Sequence, residues 1–325
     1  MLRIGDEATC FSAVFLLLTL GTRSAAGAAL SPPSSTSFMA MFRFPPVPAE
    51  QAGRVLRPRG VRGGVPVVRT AAGASDAPEN NLGSHPAAKT GPREWELDLS
   101  FTADGVPVLM HDETVDRTTN APERLDAAAR HRLKDKFAGE KVPTLQEAVE
   151  ECVKQRLTIF FGVKGHPDKA SSVLHAMYKK FPVLYNSSIV SSFEPKVIYK
   201  VTATQVNPLT RTPAWPQLSP TGRGAEPLPR RHPRSACAWG RLWSRALDVL
   251  LDWAHHHVLW KLCGVSAVLM HRDYISLDYV QYWAQRGVEV VGWTVNTAVE
   301  KDFYQSLLKI GYITDSLLED CDSVI

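Results

Sequence analysis

The sequence predicts an α/β protein built as a TIM (β/α)8-type barrel. Short β-type runs recur from residue 64 onward, helical patterns follow several of them, and polar residues stand where the runs end. Alternating strands and helices over roughly 250 residues favour a barrel or an open doubly wound sheet. No G-x-G-x-x-G or G-x-x-x-x-G-K-[ST] pattern follows the first run, which argues against a nucleotide-binding open sheet. We therefore expect the barrel, with an irregular first βα unit and an irregular central segment.

The elements follow in order along the chain. The predicted strands are GVPVVRT (64–70), EWELDLSF (94–101), VPVLM (106–110), LTIFFGV (157–163), SIVSSF (188–193), VEVVGWTVN (288–296) and GYITD (311–315). Residues 144–155 and 170–181 have the apolar spacing of helices. Thr144 as N-cap and Glu147 three residues later predict a capping box at the start of the first helix.

Two segments break the alternation. Residues 201–246 are dense in Pro and Arg, so we expect neither regular strand nor helix there. The stretch ALDVLLDWAHHHVLWKLCGVSAVLM (246–270) predicts one long apolar helix, and its polar interruptions argue against a membrane-spanning segment. Two interpretations are open: an interfacial helix anchored by Trp253 and Trp260, or a barrel helix covered by the rest of the domain.

Composition is that of a globular protein with a sizeable core, at 44% apolar and 22% charged residues. Much of the net charge of +4 lies in Pro- and Arg-rich stretches with few aromatic residues, so we expect no nucleic-acid partner. The five cysteines have no C-x-x-C spacing, which indicates neither a zinc site nor a disulfide framework.

The N-terminal region predicts targeting rather than catalysis. The apolar run at 11–21, followed by small residues, indicates a signal peptide or an N-terminal membrane anchor over 1–29. Residues 30–63 have the composition of a linker, which leaves 64–325 for the barrel. Asn186 begins an N-x-S sequon, so a chain that enters the secretory pathway would be a glycoprotein.

The stretch ELDLSFTADGVPVLMHDETVDRTTN (96–120) carries the chemistry. The Asp-Gly pair at 104–105 predicts a two-residue hairpin turn. In that register Asp98 lies opposite His111, and strand alternation places Glu96 on the same face. The sequence thus predicts two carboxylates and one imidazole in a cluster.

Carboxylates without cysteine partners suit a hard cation, Mg²⁺ first and Ca²⁺ as the alternative. A histidine beside such an ion is placed for proton transfer, and the usual task of this set is phosphoryl chemistry. Lys164, at the end of FFGVK, would add a positive charge for the phosphate. The alternative is a surface hairpin with solvated acids.

These motifs resemble those of the glycerophosphodiester phosphodiesterases, and especially their membrane-associated animal branch. The matching motifs are ELDLSFTADGVPVLMHDETVDRTT, DAPEN (76–80), VPTLQEAV (142–149), FFGVKG (160–165), WTVN (293–296) and YITD (312–315). The resemblance implies a TIM barrel that hydrolyses glycerophosphodiesters with a divalent metal, giving glycerol 3-phosphate and an alcohol. It also implies a glycerophosphodiester or lysophospholipid-type substrate, a membrane surface as partner, and a place in the secretory pathway or plasma membrane.

The family pattern also implies a role for each matching residue. It assigns catalysis to His111, phosphate binding within the catalytic set to Lys164, metal binding to Glu96 and Asp98, and substrate binding to Glu79, Asn80 and Trp293.

The chain departs from the family at the site itself. Thr70, Ala71 and Ala72 stand where the family has His-Arg-Gly, and Gly162 stands where it has a third acidic metal ligand. Losing an acid–base residue costs ~10²–10⁴ in rate, and losing a charge-stabilising donor ~10²–10³. We therefore expect weak turnover at most.

Three interpretations are open. The first is an active phosphodiesterase whose sequence is altered around 70–94 and 201–246. The second is a catalytically inactive membrane-associated barrel that acts as a binding or scaffold protein. The third is a different metal-dependent phosphodiesterase that uses His111 alone.

Overall fold

The computed structural model describes residues 43–45, 67–70, 94–112, 142–204, 211–213, 249 and 252–315. The chain divides into two compact units, Met1–Arg43 and Phe44–Ile325, and every strand and helix given below belongs to the second. The predicted leader or anchor at 1–29 lies outside the described residues, as does the predicted linker at 30–63 apart from 43–45.

In this part of the chain, nine strands form one sheet. They are β1 (Val67–Thr70), β2 (Glu94–Phe101), β3 (Pro107–Leu109), β4 (Thr158–Val163), β5 (Ser188–Ser192), β6 (Arg211–Pro213), β7 (Ala267–His271), β8 (Glu289–Trp293) and β9 (Gly311–Thr314). In the order β6-β5-β4-β2-β1-β9-β8-β7 all neighbours pair in parallel. The end strands β6 and β7 lie against each other, so the sheet nearly closes into a barrel. The predicted fold is confirmed; β3 pairs antiparallel with β2 outside the ring.

Helices connect the strands on the outside of the barrel. They are α1 (Leu145–Gln155), α2 (Pro167–Lys180), α3 (Leu184–Ser187), α4 (Pro195–Ala203), α5 (Trp260–Cys263), α6 (Leu277–Ala284) and α7 (Ala298–Asp302), with π-helical turns at His255–Leu259 and Phe303–Leu308 and a 3-10 turn at Arg272–Tyr274. The predicted capping box is confirmed, because the Thr144 side chain accepts from the Glu147 N–H while the Glu147 carboxylate accepts from the Thr144 N–H at 2.8 Å.

Two apolar layers follow from strand alternation. One fills the barrel interior with residues from six strands: Val68, Phe160, Ile189, Ala267, Leu269, Val291 and Ile313. The larger layer lies between the strands and the helices. Gly292 of β8 faces this outer layer, where an added Cβ would lie 2.3 Å from Cε1 of the buried Tyr304 ring. The lack of a side chain at position 292 is therefore required by packing.

The prediction of one apolar helix over 246–270 is wrong. The helical segment ends at Cys263, because Gly264 takes a left-handed conformation at φ 63°, and residues Ala267–His271 form β7. The ring of Trp260 meets that of Trp283 edge-on at 5.8 Å, whereas Trp253 is 44% exposed. Among the residues that the structure describes, no helix has the length and apolar character to cross a membrane.

The expectation that 201–246 contains neither strand nor helix is wrong at two places. Helix α4 continues to Ala203, and Arg211–Pro213 forms a strand that pairs with β5. The short β6 owes its conformation to that neighbouring strand rather than to its own composition, which is why the local sequence did not reveal it.

Candidate active site

Strand β2 directs two acids into the barrel. Glu96 lies opposite Phe160 of the interior layer, and Asp98 lies opposite Gly162. The intervening Leu97 faces the outer layer, as a period of two requires. Asp98 is only 1% exposed, so its carboxylate is buried at the position that the sequence predicted.

Lys164 follows the end of β4 and approaches these acids. Its ammonium Nζ lies 3.0 Å from Asp98 Oδ1, and its backbone N–H donates to the Leu99 carbonyl. Burial alone would lower the pKa of Lys164, but the negative charges of Asp98, Glu96 and Asp112 outweigh burial and raise it. The side chain is therefore held protonated beside the acids.

The predicted hairpin register is wrong by one residue. Met110, not His111, lies opposite Asp98, and its N–H donates to the Asp98 carbonyl at 2.9 Å. The turn has three residues between Thr102 and Val106, because Gly105 at φ 89° adds a left-handed residue after the turn. The Thr102 hydroxyl accepts from the Val106 N–H at 2.9 Å and stabilises this longer loop.

His111 consequently lies beyond the end of β3, and its side chain is 44% exposed. Its Nδ1 is 2.8 Å from Asp112 Oδ1. When the Nδ1 proton is donated to this carboxylate, Nε2 is the nitrogen that can exchange a proton with a ligand. The negative charge of Asp112 is also among those that raise the pKa of Lys164. Sequence reasoning assigned no role to Asp112.

Aromatic rings line the mouth of the barrel next to this centre. Trp293, at the end of β8, meets Phe193 edge-on at 5.9 Å and His271 edge-on at 5.1 Å. Phe193 lies beside the Lys164 ammonium, 6.0 Å from Nζ to the ring centroid. Of these rings the sequence predicted a role only for Trp293.

His271 was missed because its segment was taken as helix, although it ends a strand as site residues of a barrel do. Partial burial lowers the pKa of His271; Asp273 opposes this effect and Arg272 adds to it. The imidazole is thus held in its neutral form at pH 7.

The last two loops of the barrel are fastened together. The Asn296 side-chain amide donates to Asp315 at 2.9 Å, and the Asp315 N–H donates back to the Asn296 carbonyl oxygen at 3.0 Å. Arg272 contacts Glu300 at 3.1 Å and so ties the loop after β7 to the loop after β8. These bonds fix the strand end that carries Trp293.

Several predicted residues cannot be placed. Glu79, Asn80, Ala71 and Ala72 lie outside the described residues. Thr70 is placed by its backbone, which lies opposite Glu96 in the register between β1 and β2.

Glu96 and Asp98 are the residues that could hold a hard divalent cation, whose other positions would then be left to water and ligand oxygens. An added Cβ at Gly162 would lie 3.0 Å from Asp98 Oδ1 and 3.5 Å from Glu96 Oε1, so position 162 opens directly onto both acids. Within the described residues, no group of three His, Cys, Asp or Glu side chains is arranged to hold a metal.

Comparison with known proteins identifies the family. Residues 71–319 match the model of the glycerophosphoryl diester phosphodiesterase family. The chain belongs to this family. It is 49% identical over 324 residues to glycerophosphodiester phosphodiesterase 1 of Bos taurus, covering 96% of this chain and 95% of that one. The human protein of the same name is 46% identical over 327 residues, with the same coverage.

Solved glycerophosphodiester phosphodiesterases share the barrel of this chain. A putative family member from Silicibacter pomeroyi is 19% identical with a TM-score of 0.58, covering 82% of this chain and 94% of that one. A phosphodiesterase from Oleispira antarctica, in complex with its product sn-glycerol-3-phosphate, is 18% identical with a TM-score of 0.53. It covers 77% of this chain and 92% of that one. The TIM-type fold is therefore the fold of the family.

The ion pair between Lys164 and Asp98 leads to a prediction about the stability of this phosphodiesterase family member. We expect Lys164→Met to lower the free energy of unfolding by about 2 kcal/mol, because the buried Asp98 carboxylate loses a charged partner. Urea unfolding followed by circular dichroism measures the loss.

Two variants control this experiment. Lys180→Met removes an exposed ammonium 3.1 Å from Glu150 and should change stability by less than about 0.5 kcal/mol. Adding Asp98→Asn to Lys164→Met should recover part of the loss. Strictly additive losses in the double variant would show that Lys164 and Asp98 do not stabilise each other.

Proposed function

We propose that this chain hydrolyses glycerophosphodiesters to glycerol 3-phosphate and an alcohol, using a divalent cation, Mg²⁺ first and Ca²⁺ as the alternative. The observation that carries the proposal is the Lys164 ammonium beside the inward-facing carboxylates of Glu96 and Asp98. The product named in the Oleispira antarctica complex supports the same substrate class.

Glu96 and Asp98 would hold the cation. When bound, such a cation neutralises negative charge on the phosphate oxygens. Lys164 donates from Nζ to a phosphate oxygen and places the phosphorus above the acids. Its raised pKa supports this role, because the amine keeps its positive charge through the neutral range.

His111 supplies the proton chemistry. A water molecule attacks the phosphorus as the bond from phosphorus to the alcohol oxygen breaks. With Nδ1 directed to Asp112, Nε2 gives the proton that it carries to this departing oxygen, and the attacking water releases its own proton to solvent. Asp112 keeps the ring in this orientation. The exposed position of His111 suits a group that must meet a ligand at the rim.

The remainder of the substrate lies toward the aromatic mouth. Trp293, together with Phe193, offers ring surface beside the phosphate position, and we assign it to the glycerol or alcohol portion. By the family pattern, Glu79 and Asn80 contribute further substrate contacts. A lysophospholipid-type substrate is the larger member of the same class.

The first experiment measures release of sn-glycerol 3-phosphate from glycerophosphocholine by the full chain, in Mg²⁺, in Ca²⁺ and in EDTA. We expect turnover only with a cation, and a loss of at least ~10²-fold in Glu96→Gln, because the variant removes a cation ligand. Glu289→Gln is the matched control, since Glu289 begins β8 at the opposite end of the barrel. Its activity should equal that of the parent. Turnover that persists in EDTA would contradict the role of the cation.

A second candidate function has two observations in its favour. Gly162 adds no carboxylate at the acid pair, and Thr70 stands where the family has a histidine. On this alternative the chain is an inactive membrane-associated barrel that binds ligands or acts as a scaffold. Absence of hydrolysis by folded protein, with glycerol 3-phosphate still bound, selects this alternative over the hydrolase.

The role of His111 gives a separate prediction. His111→Asn should reduce kcat by ~10²–10⁴ with KM changed only a few-fold, because the proton donor is lost while the phosphate contacts remain. Asp112→Asn should cause a smaller fall in kcat, since the imidazole keeps Nε2 but loses its charged partner. Steady-state kinetics measures both. A rise in KM at unchanged kcat would instead assign His111 to binding.

We also place the chain at a membrane surface, in the secretory pathway or at the plasma membrane. The apolar run at 11–21 supports this, as do Val249 and Trp253, which are 70% and 44% exposed and lie four residues apart. Co-sedimentation of the full chain with phosphatidylcholine–phosphatidylserine vesicles should decrease in Trp253→Ser. Tyr274, which is similarly exposed at 48%, is changed to Ser as the control. Equal sedimentation of parent and Trp253→Ser would remove Trp253 from the contact.

A further inference from the structure

Position 162 has the most direct access to the acid pair. Gly162 lies opposite Asp98 in the barrel wall, and a Cβ built on it would approach Asp98 Oδ1 at 3.0 Å and Glu96 Oε1 at 3.5 Å. A side chain at this position would therefore project between the two carboxylates. Glycine brings no oxygen there, so within the described residues no third carboxylate joins Glu96 and Asp98 in a cation site.

One of these two carboxylates, that of Asp98, already pairs with a positive charge of the protein. The Lys164 ammonium lies 3.0 Å from Asp98 Oδ1, the oxygen that is also nearest to position 162. A divalent cation that approaches Asp98 must displace this ammonium or accept repulsion from it. Since Mg²⁺ and Ca²⁺ need six or more oxygen ligands, two carboxylates of which one is shared give weak binding.

A phosphate group relieves both constraints at once. Its oxygens can coordinate the cation in place of the side chain that Gly162 lacks. They also accept from the Lys164 ammonium, which then leaves Asp98 Oδ1 to the cation. Each partner thus removes an obstacle to the binding of the other.

We infer that a divalent cation and a phosphate ligand bind this centre cooperatively, each increasing the affinity for the other. The inference rests on the proposed function, because it takes Glu96 and Asp98 as the cation ligands. Thermodynamic linkage requires that the two affinities change by the same factor. The cation site at Glu96 and Asp98 is therefore completed when the substrate binds, and not before.

The test is calorimetric titration of the EDTA-stripped full chain with Ca²⁺ and, separately, with Mg²⁺, in the absence and presence of saturating sn-glycerol 3-phosphate. After correction for cation binding by free glycerol 3-phosphate, we expect the cation affinity of the protein to rise by about tenfold or more. The reverse titration, of glycerol 3-phosphate with and without cation, should give the same factor.

Variants of Gly162 and Lys164 separate the two causes of weak cation binding, the missing carboxylate and the competing ammonium. Gly162→Asp should bind the cation tightly without phosphate and reduce the coupling factor, because it supplies the additional carboxylate. Gly162→Ala, which adds a Cβ without oxygen, is its matched control and should not tighten cation binding. Lys164→Met should also tighten cation binding in the absence of phosphate, and it does not depend on position 162 accepting a side chain.

Equal cation affinity with and without glycerol 3-phosphate would overturn the inference and leave the hydrolase proposal standing. Cooperative binding without any hydrolysis of glycerophosphocholine would uphold the inference and contradict the hydrolase proposal. If the parent binds neither Ca²⁺ nor Mg²⁺, whether or not glycerol 3-phosphate is present, the inference and the cation's role in the proposed function are both overturned.

Discussion

Burial of the Asp98 carboxylate inside the barrel is the constraint on which the rest of the site depends. A carboxylate taken out of water costs several kcal/mol unless a positive charge or hydrogen bonds offset the loss. Lys164 supplies that charge from the neighbouring strand, and its backbone N–H to the Leu99 carbonyl holds the ends of β2 and β4 together. The charge pair therefore joins the ends of two strands that already pair along their length. It also keeps an ammonium where a phosphate can reach it.

Features that depend on neighbours in the sequence could be predicted. The helix at Leu145–Gln155 is specified by its apolar spacing and by the Thr144–Glu147 box, both contained within a few residues. The placement of Glu96 and Asp98 on one face follows from strand alternation alone, and the structure confirms it. Such features can be predicted without knowing what the segment packs against.

Features that depend on distant partners could not be predicted. The hairpin register differs by one residue because Thr102 and Gly105 stabilise a three-residue loop, and an Asp-Gly pair fits both loops. The run that contains β7 was taken as helix because a short apolar run has no decisive periodicity. For the same reason His271, at the end of β7, was not predicted as a site residue. The contact of Phe193 with Trp293 arises only when the barrel brings β5 and β8 across from each other.

Two glycines in the barrel wall differ in a way that bears on function. At Gly292 the space for a side chain is filled by the Tyr304 ring, so glycine is explained by packing. At Gly162 the nearest side-chain atoms are carboxylate oxygens, at 3.0 Å and 3.5 Å from an added Cβ, so a small shift of Asp98 would admit a side chain. An acid there would hold a cation more firmly, but it would also add negative charge beside the position of an anionic phosphodiester. On the proposed function, glycine leaves Lys164 to offset one of the two carboxylate charges, and the phosphate would meet less repulsion. The same glycine that would weaken the protein's hold on a cation would thus also ease the entry of phosphate, and both effects would make the ligand a structural part of the centre.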